Sequence, residues 1–530
     1  MLEKILRRLG YQRIAKRSMT GFAAARTDRL VSSWNPVNLS MDAVLRTQLP
    51  RIRARSRDLS INNPYVKKFI GMVAVNVLGP GGISFQSKLK FKNGSLDERS
   101  NIAIETAWKE WGRRRHSPDV TGKLSWVRLQ DLCLRTVARD GEIFIRQVRN
   151  FENAHRYSLQ LIEADSVDES FNADLGQGYR IIMGIEIDPW GRPVAYHVAR
   201  RAANDYSDPV SYRQRERIPA EDMIHLFVPF RVNQRRGVPW AFAVMAKTNV
   251  LDGYEEAELV AARVAAAKMG CIETAEGIYV ADDQDGAGKQ YIEAEPGTFP
   301  IMPPGTKMNM FDPQHPTTAY RDFVKQVLRA IACGLEVSYN SLGADLESVN
   351  YSSVRSGTLE ERDGWKAIQA WLIEDLCEQV FEGWLRMQVL ARTLDFEPAD
   401  IDRICGAAVW RGRSWSWVDP LKDGKANTES LASGMATRTD LLAEQGKDFE
   451  EHIDQLVYEQ EYMRRKGLTP DAAAKTDSGQ SDGDEADGGE GKNKNGGNGR
   501  WVDSLRRLDA AHLRGGYKET QHGSETQAAH

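Results

Sequence analysis

The sequence predicts an α+β fold. Three observations carry this: helical apolar spacing before residue 140, short runs of β-branched and aromatic residues between 140 and 230, and helical spacing again from about 250. The chain has 530 residues, which at roughly 150 per domain allows about three or four structural units. With 41% hydrophobic and 27% charged residues it is not a wholly disordered chain, and a net charge of -3 excludes a histone-like polycation. The charge is unevenly spread, because residues 1–70 hold 15 Lys/Arg against 4 Asp/Glu.

Residues 1–60 are rich in Arg, carry a turn at Ser33–Pro36 and lack long apolar periodicity, so they predict a basic N-terminal arm. Such an arm is either solvated or placed against a neighbouring subunit or phosphates. From Asn62 the apolar residues Phe69, Met72, Val73 and Val77 fit a helix that Gly79–Gly82 ends. Helical spacing returns at Ile104, Ala107, Trp108 and Trp111, and Ser125 is a predicted N-cap for a helix running to Asp140-Gly141. IFIRQVR, YSLQLIE, IIMGIEID, VAYHVAR and MIHLFVP then read as strands of a mostly antiparallel unit, the third and fourth joined by a turn at Pro189–Pro193.

Tyr254 to Met269 contains no Pro and no Gly and predicts a helix with small residues on nearly every face. Gly270 to Pro316 reads as a loop-and-strand excursion. A second helix follows, its stripe formed by Tyr320, Phe323, Val324, Val327, Leu328 and Ile331 and its end marked by Gly334. The two helices can therefore lie antiparallel with the excursion at their tip. Asn340–Ser353 reads as a loop, 354–390 as a long helix with Trp365, Trp371, Phe381 and Trp384 as core anchors, and 425–466 as helical. From Pro470 to Arg500 the composition predicts disorder.

Catalytic signatures fail. Asp285–Gln290 resembles a phosphate loop but lacks the required Gly and Ser/Thr, and no GxSxG, HExxH or GxGxxG motif is present. Glu163, Asp165 and Asp168 could hold a divalent cation, or could serve as capping and turn acids. His197 and His225 fall in predicted strands and read as sheet residues. The five cysteines have no CxxC spacing and predict reduced thiols, and neither a signal peptide nor a membrane-spanning run is expected, which predicts a soluble protein made in a cytoplasm. No metal and no cofactor is expected.

The stretches Ser33–Pro36 (SWNP), Arg53–Tyr65 (RARSRDLSINNPY), Ala107–Trp111 (AWKEW), Phe230–Trp240 (FRVNQRRGVPW), Leu328–Leu342 (LRAIACGLEVSYNSL) and Asn350–Gly357 (NYSSVRSG) resemble, in combination and order, the lambda-type portal family of tailed bacteriophages. The resemblance implies a portal fold: a ring, usually of twelve subunits, at one capsid vertex, through which double-stranded DNA is packaged and ejected. The implied partners are the terminase large subunit that supplies the ATPase, head-completion and tail connector proteins, and capsid and scaffold proteins, with no membrane. The implied location is the virion, after assembly in the bacterial host cytoplasm, and the portal itself is not an enzyme.

On this chain the resemblance implies the basic arm at 1–60, a wing at 61–249, stem helices at 250–270 and 317–339, and a clip at 271–316. It further implies a tunnel loop at 340–353, a long helix and crown at 354–466, and a mostly disordered tail at 467–530. Arg263, Lys268, Lys325 and Arg329 are the DNA-channel candidates, unless stem carboxylates such as Glu256, Glu258 and Asp322 neutralise them. Ser341, Asp345, Glu347, Asn350 and Tyr351 are the tunnel-loop candidates. The competing readings are a head-tail adaptor without DNA contact and a metal-dependent nuclease using Glu163, Asp165 and Asp168.

Overall fold

The computed structural model describes residues 37–199, 214–266, 270–274, 306–310, 319–345, 347, 351–415, 420–447 and 449–467. The chain divides into two units, Met1–His452 and Ile453–His530.

Helix α1 (Met41–Asn62) opens the described chain, capped by Ser40, whose hydroxyl accepts from the Ala43 N–H. This corrects the expected arm at 1–60, since residues 41–60 belong to the body and 1–36 lie outside the described residues. Leu45, Leu49, Arg53, Ser56 and Leu59 form the buried stripe. A serine and an arginine at core positions hide the helical period from a reading of apolar residues alone. Asn63 then ends α1 and caps α2 (Pro64–Val77), its side chain accepting from the Tyr65 and Val66 N–H groups while Pro64 sits at the first helical position.

Strand β1 (Ser84–Ser87), α3 (Glu98–Trp111) and α4 (Trp126–Asp140) follow, and Ser125 caps α4 as its sequence predicts. Gly141 closes α4 at φ 94°, and a Cβ there would lie 2.6 Å from the Pro239 nitrogen, so both backbone conformation and space require glycine.

The β-rich block holds β2 (Glu142–Arg149), β3 (Tyr157–Ile162), β4 (Ala173–Gly176), β5 (Tyr179–Ile182), β6 (Ile185–Ile187), β7 (Pro193–Ala199), β8 (Arg215–Pro219) and β9 (Met223–Phe227). They form two antiparallel sheets, a three-stranded one ordered β3-β2-β9 and a five-stranded meander β4-β5-β6-β7-β8. The run Ile181–Asp188, expected as one strand, is a hairpin, because Met183 (φ 49°) and Gly184 (φ 80°) make a two-residue turn between Ile182 and its partner Ile185.

Beyond the sheets come α5 (Met245–Ala266), β10 (Gly270–Thr274), β11 (Thr306–Met310), α6 (Ala319–Gly334), α7 (Tyr339–Gly343) and α8 (Tyr351–Leu372). The expected loop at 340–353 is thus shorter, with a helical turn at its start and α8 at its end. The reason for α7 is local: Ser338 caps it by accepting from the Ser341 N–H, and Ala344 at φ 53° closes it.

The expected long helix is continuous through α8, a π turn at Ile373–Glu378 and α9 (Gln379–Leu390). Then come α10 (Ile401–Cys405), β12 (Ala408–Arg411), α11 (Pro420–Ala432), α12 (Arg438–Glu444) and α13 (Phe449–Arg465). The 425–466 segment, expected to be helical, holds three helices separated at Gly434 and Gly446, both at φ 72°. β12 returns to pair antiparallel with β1, a long-range ladder no local pattern announces. The expected clip, apart from β10 and β11, and the expected tail lie outside the described residues.

The core is aromatic. The Trp108 ring stands 4.8 Å from that of Trp111, 5.1 Å from Trp384 and 5.4 Å from Phe381, with Trp126, Phe85 and Trp410 around it. Such pairs contribute about 0.5–1.5 kcal/mol each beyond area burial. Trp365, Phe381 and Trp384 are core anchors as expected, and Trp371 packs at the edge.

Candidate nucleic-acid interface

Helices α5 and α6 run antiparallel. Tyr254 meets Tyr320 and Phe323 at ring distances of 5.9 and 5.0 Å, while Leu251 and Val250 share a cleft of about 380 Å³ with Val327 and Ala330 further along α6. The chain crosses between the helices through the antiparallel β10–β11 ladder, with Gly270 opposite Met310 and Thr274 opposite Thr306. The apolar stripe of α6 buries Leu328 and Ile331 against the body, which leaves the cation-bearing positions outward.

Arg263 lies exposed in the last turn of α5, without an ion pair among the described residues. Lys325 is committed: its ammonium stands 2.9 Å from Asp345 and lies over the Tyr339 ring at 5.8 Å. Arg329 rests over the same ring at 5.4 Å. The Tyr339 hydroxyl donates to Asp345 at 2.8 Å, and the Glu347 N–H donates to the same carboxylate at 2.9 Å. Hydrogen bonds from Lys325, Tyr339 and Glu347 hold the Asp345 carboxyl well below the usual carboxylate range, and burial beside Asp345 raises the Tyr339 hydroxyl.

The carboxylate that neutralises Lys325 therefore comes from the segment after α7 and not from the stem acids Glu256, Glu258 or Asp322. Glu347 similarly takes Arg321, a cation absent from the channel candidates. Its signal is present in the sequence, since Arg321, Lys325 and Arg329 recur every fourth residue along one face. Ser341 lies inside α7 and its hydroxyl donates to Glu361 at 3.0 Å, which removes it from any open loop. Lys268, Asn350 and the Tyr351 side chain lie outside the described residues.

Two of the three acids that could have formed a metal site, Asp165 and Asp168, are held by arginines. Asp165 accepts from Arg53 at 2.7 Å and from Arg57, and Asp168 accepts from Arg215 at 2.6 Å and from Ser170. Glu163 is exposed. Among the described residues no cluster of His, Cys, Asp or Glu is placed to hold a metal. His197 hydrogen-bonds Glu186 at 3.2 Å, and buried His225 hydrogen-bonds Glu142 at 2.9 Å. Burial lowers both imidazoles, so they are structural partners of carboxylates inside the sheets.

Arg53, Arg57 and Arg236 gather Asp140, Glu142, Asp165 and Glu169 into one buried network joining α1, the end of α4, β2 and the turn after β3. Arg236, fully buried, also donates to the Ala164, Val167 and Met183 carbonyls. A body whose buried charges are paired, bearing an antiparallel helical hairpin, is the form of a structural component.

Known proteins give that class a family. Residues 27–369 match the family model of phage portal protein, lambda family. The chain is 35% identical over 454 residues to the probable portal protein of Halomonas phage phiHAP-1, across 84% of this chain and 87% of that one. It is 24% identical over 479 residues to portal protein B of Escherichia phage lambda, across 83% and 89% of the two chains. Among solved structures, a chain in the neck of a native gene transfer agent particle aligns over 79% of this chain and 99% of that one, with 13% identity and a TM-score of 0.39. The chain belongs to the lambda family of phage portal proteins. Its function is that of a portal protein in phage DNA packaging.

Proposed function

We propose that about twelve copies of the chain close into a ring at one capsid vertex, with the α5–α6 hairpin as its stem and the DNA passing through the middle. The β10–β11 ladder begins the clip that meets the terminase large subunit and later the head-completion and tail connector proteins. The sheets with α2 to α4 form the wing, and the helices from α8 onward the long helix and crown, against capsid and scaffold proteins. The ring assembles in the host cytoplasm and remains in the virion. The portal is a conduit and not an enzyme, with ATP hydrolysis left to the terminase. In support, no described helix is long and apolar enough to cross a membrane, and portal proteins are structural components.

The observation that carries the reading is the antiparallel hairpin with Arg263 exposed near its tip. Duplex DNA, about 20 Å wide, slides only if contacts are few, weak and independent of sequence, which isolated cations facing phosphates provide. Repeated around a ring, Arg263 becomes a ring of positive charge. Lys325 is paired with Asp345 and Arg329 stands over the Tyr339 ring, so phosphate and loop carboxylate compete for Lys325.

Electron-microscopy class averages of the purified protein are expected to show a ring with a central hole of DNA width, and a monomer overturns the reading. Packaging into procapsids is expected to fall with Arg263→Ala and, less steeply, with Lys325→Ala. Wild-type packaging by the double variant overturns the channel assignment and favours an adaptor without DNA contact.

A further inference from the structure

A second concentration of positive charge lies away from the hairpin. Arg113 follows α3, Arg114 and Arg115 sit in the 3-10 turn Arg114–His116, and Lys123 lies in the connection to α4. Arg156 belongs to the β2–β3 hairpin loop, and Arg392 follows α9.

Tertiary contacts bring these segments to one surface. The Asn153 side-chain amide in the hairpin loop donates to the His116 and Ser117 carbonyls at 3.1 Å, and the Ser158 hydroxyl donates to Ser117 at 2.9 Å. The His116 and His155 rings meet at 5.4 Å. The Gln388 amide donates to the His155 carbonyl at 2.8 Å, which fixes the end of α9 beside the same loop. Arg114 Nε donates to the Gly122 carbonyl at 3.3 Å and so brings Lys123 alongside.

None of these six cations has a carboxylate partner among the described residues. The guanidinium groups of Arg114 and Arg115 reach only a carbonyl and an imidazole. Arginines are ion-paired elsewhere, as at Arg53, Arg57, Arg146, Arg215, Arg217 and Arg236, while other exposed ones such as Arg46, Arg51 and Arg55 are not, among the described residues; what sets the six apart is that tertiary contacts gather them on one surface. The acids of the same segments, Glu110, Asp119, Glu152 and Asp395, form no ion pair with the six; buried Asp119 accepts from the Thr121 hydroxyl and from the Lys123 backbone N–H. All six cations are exposed, so each keeps its charge available to a partner.

The surface has little to offer an ordinary protein partner. In segments 109–124, 150–156 and 388–395 the one exposed large apolar side chain among the described residues is Leu390. A protein interface needs an apolar centre, whereas a phosphate backbone needs spaced cations alone, preferably arginines with their forked donors. We propose that this face of the wing is a second, sequence-independent site for the phosphate backbone of duplex DNA, outside the channel. The proposal rests on the packaging function, which makes DNA the polyanion present, and its test separates it from the channel assignment.

The test measures binding of full-length protein to a mixed-sequence linear duplex by fluorescence anisotropy across a salt titration, comparing wild type with a triple variant, Arg113→Gln, Lys123→Gln and Arg156→Gln. The slope of log affinity against log salt is expected to become shallower by about three units, one for each phosphate left without its cation. The charge-retaining set Arg113→Lys, Lys123→Arg and Arg156→Lys is expected to keep the wild-type slope, which separates the effect of charge from disturbed folding. A wild-type slope in the triple variant overturns the proposal. So does loss of polyglutamate binding with DNA binding intact, since that identifies an acidic protein as the partner. Arg263→Gln in the same assay reports the channel, and ring formation in the same samples reports the portal reading, each independently of this outcome.

Discussion

Replacing Arg53 with Met tests the buried network directly. The side chain is 1% exposed, and its guanidinium reaches Glu142 at 2.8 Å, Asp165 at 2.7 Å, Glu169, and the Asp140 carbonyl at 3.3 Å. Removing one partner from a buried ion network costs about 3–5 kcal/mol, because the remaining charges have neither water nor their counterion. The lower end applies here. Glu142 retains Arg236, His225 and the Gly237 N–H, and Asp165 retains Arg57. A loss of about 3 kcal/mol is expected, against under about 0.5 kcal/mol for Arg55→Met on the exposed face of the same helix. Urea unfolding followed by circular dichroism at one fixed protein concentration measures both, since assembly makes apparent stability depend on concentration. Adding Glu169→Gln to Arg53→Met should cost less than the sum of the single changes, as it removes a stranded charge. Equal shifts for Arg53→Met and Arg55→Met would refute the argument that the network holds α1 to the body.

Acid is expected to weaken the same network in two stages. Burial lowers His225, so the unfolded chain binds the proton more readily and stability falls as the pH drops below about 6.5. Burial acts to raise Asp140, Glu142 and Asp165, but their arginine partners outweigh it and hold all three low. Their contribution is present above the unfolded carboxylate values and is lost as the pH falls further below about 4.5. Urea midpoints measured from pH 8 to pH 3 check both stages, and His225→Asn should flatten the first; a midpoint independent of pH would contradict the assignment. Gly383→Ala places a Cβ 2.8 Å from the Tyr157 hydroxyl and closer still to Gln147 Oε1. Its expected cost is about 1–3 kcal/mol by overpacking, read as a lowered melting temperature, and an unchanged value would contradict the close approach of α9 to β2.

Much of the architecture is legible in the sequence because its causes are local. The caps Ser125 and Asn63, the stop at Gly141, the strand runs and the α6 stripe each rest on a few neighbouring residues. Where a local reading fails, it fails for identifiable reasons. α1 reads as an arm because its buried face carries Arg53 and Ser56, and the burial of Arg53 depends on residues about 90 to 115 positions away. The Met183-Gly184 turn escapes a sequence reading because an apolar residue there adopts positive φ.

The candidate site divides in the same way. Arg263, Lys325 and Arg329 are visible as helix-borne cations, but their states are not, because Asp345 and Tyr339 approach Lys325 only once α7 folds back on α6. That Arg113, Lys123 and Arg156 have no ion pair among the described residues is equally invisible in sequence, where acidic residues are close in number. By itself the sequence determined the α+β class, the helical hairpin, the resemblance to portal proteins and the want of a catalytic signature, since periodicity and motif order are properties of the chain. Only the tertiary structure decided which charges are paired and which are not, because a charge is cancelled by what stands within a few ångströms of it and not by the composition of the whole.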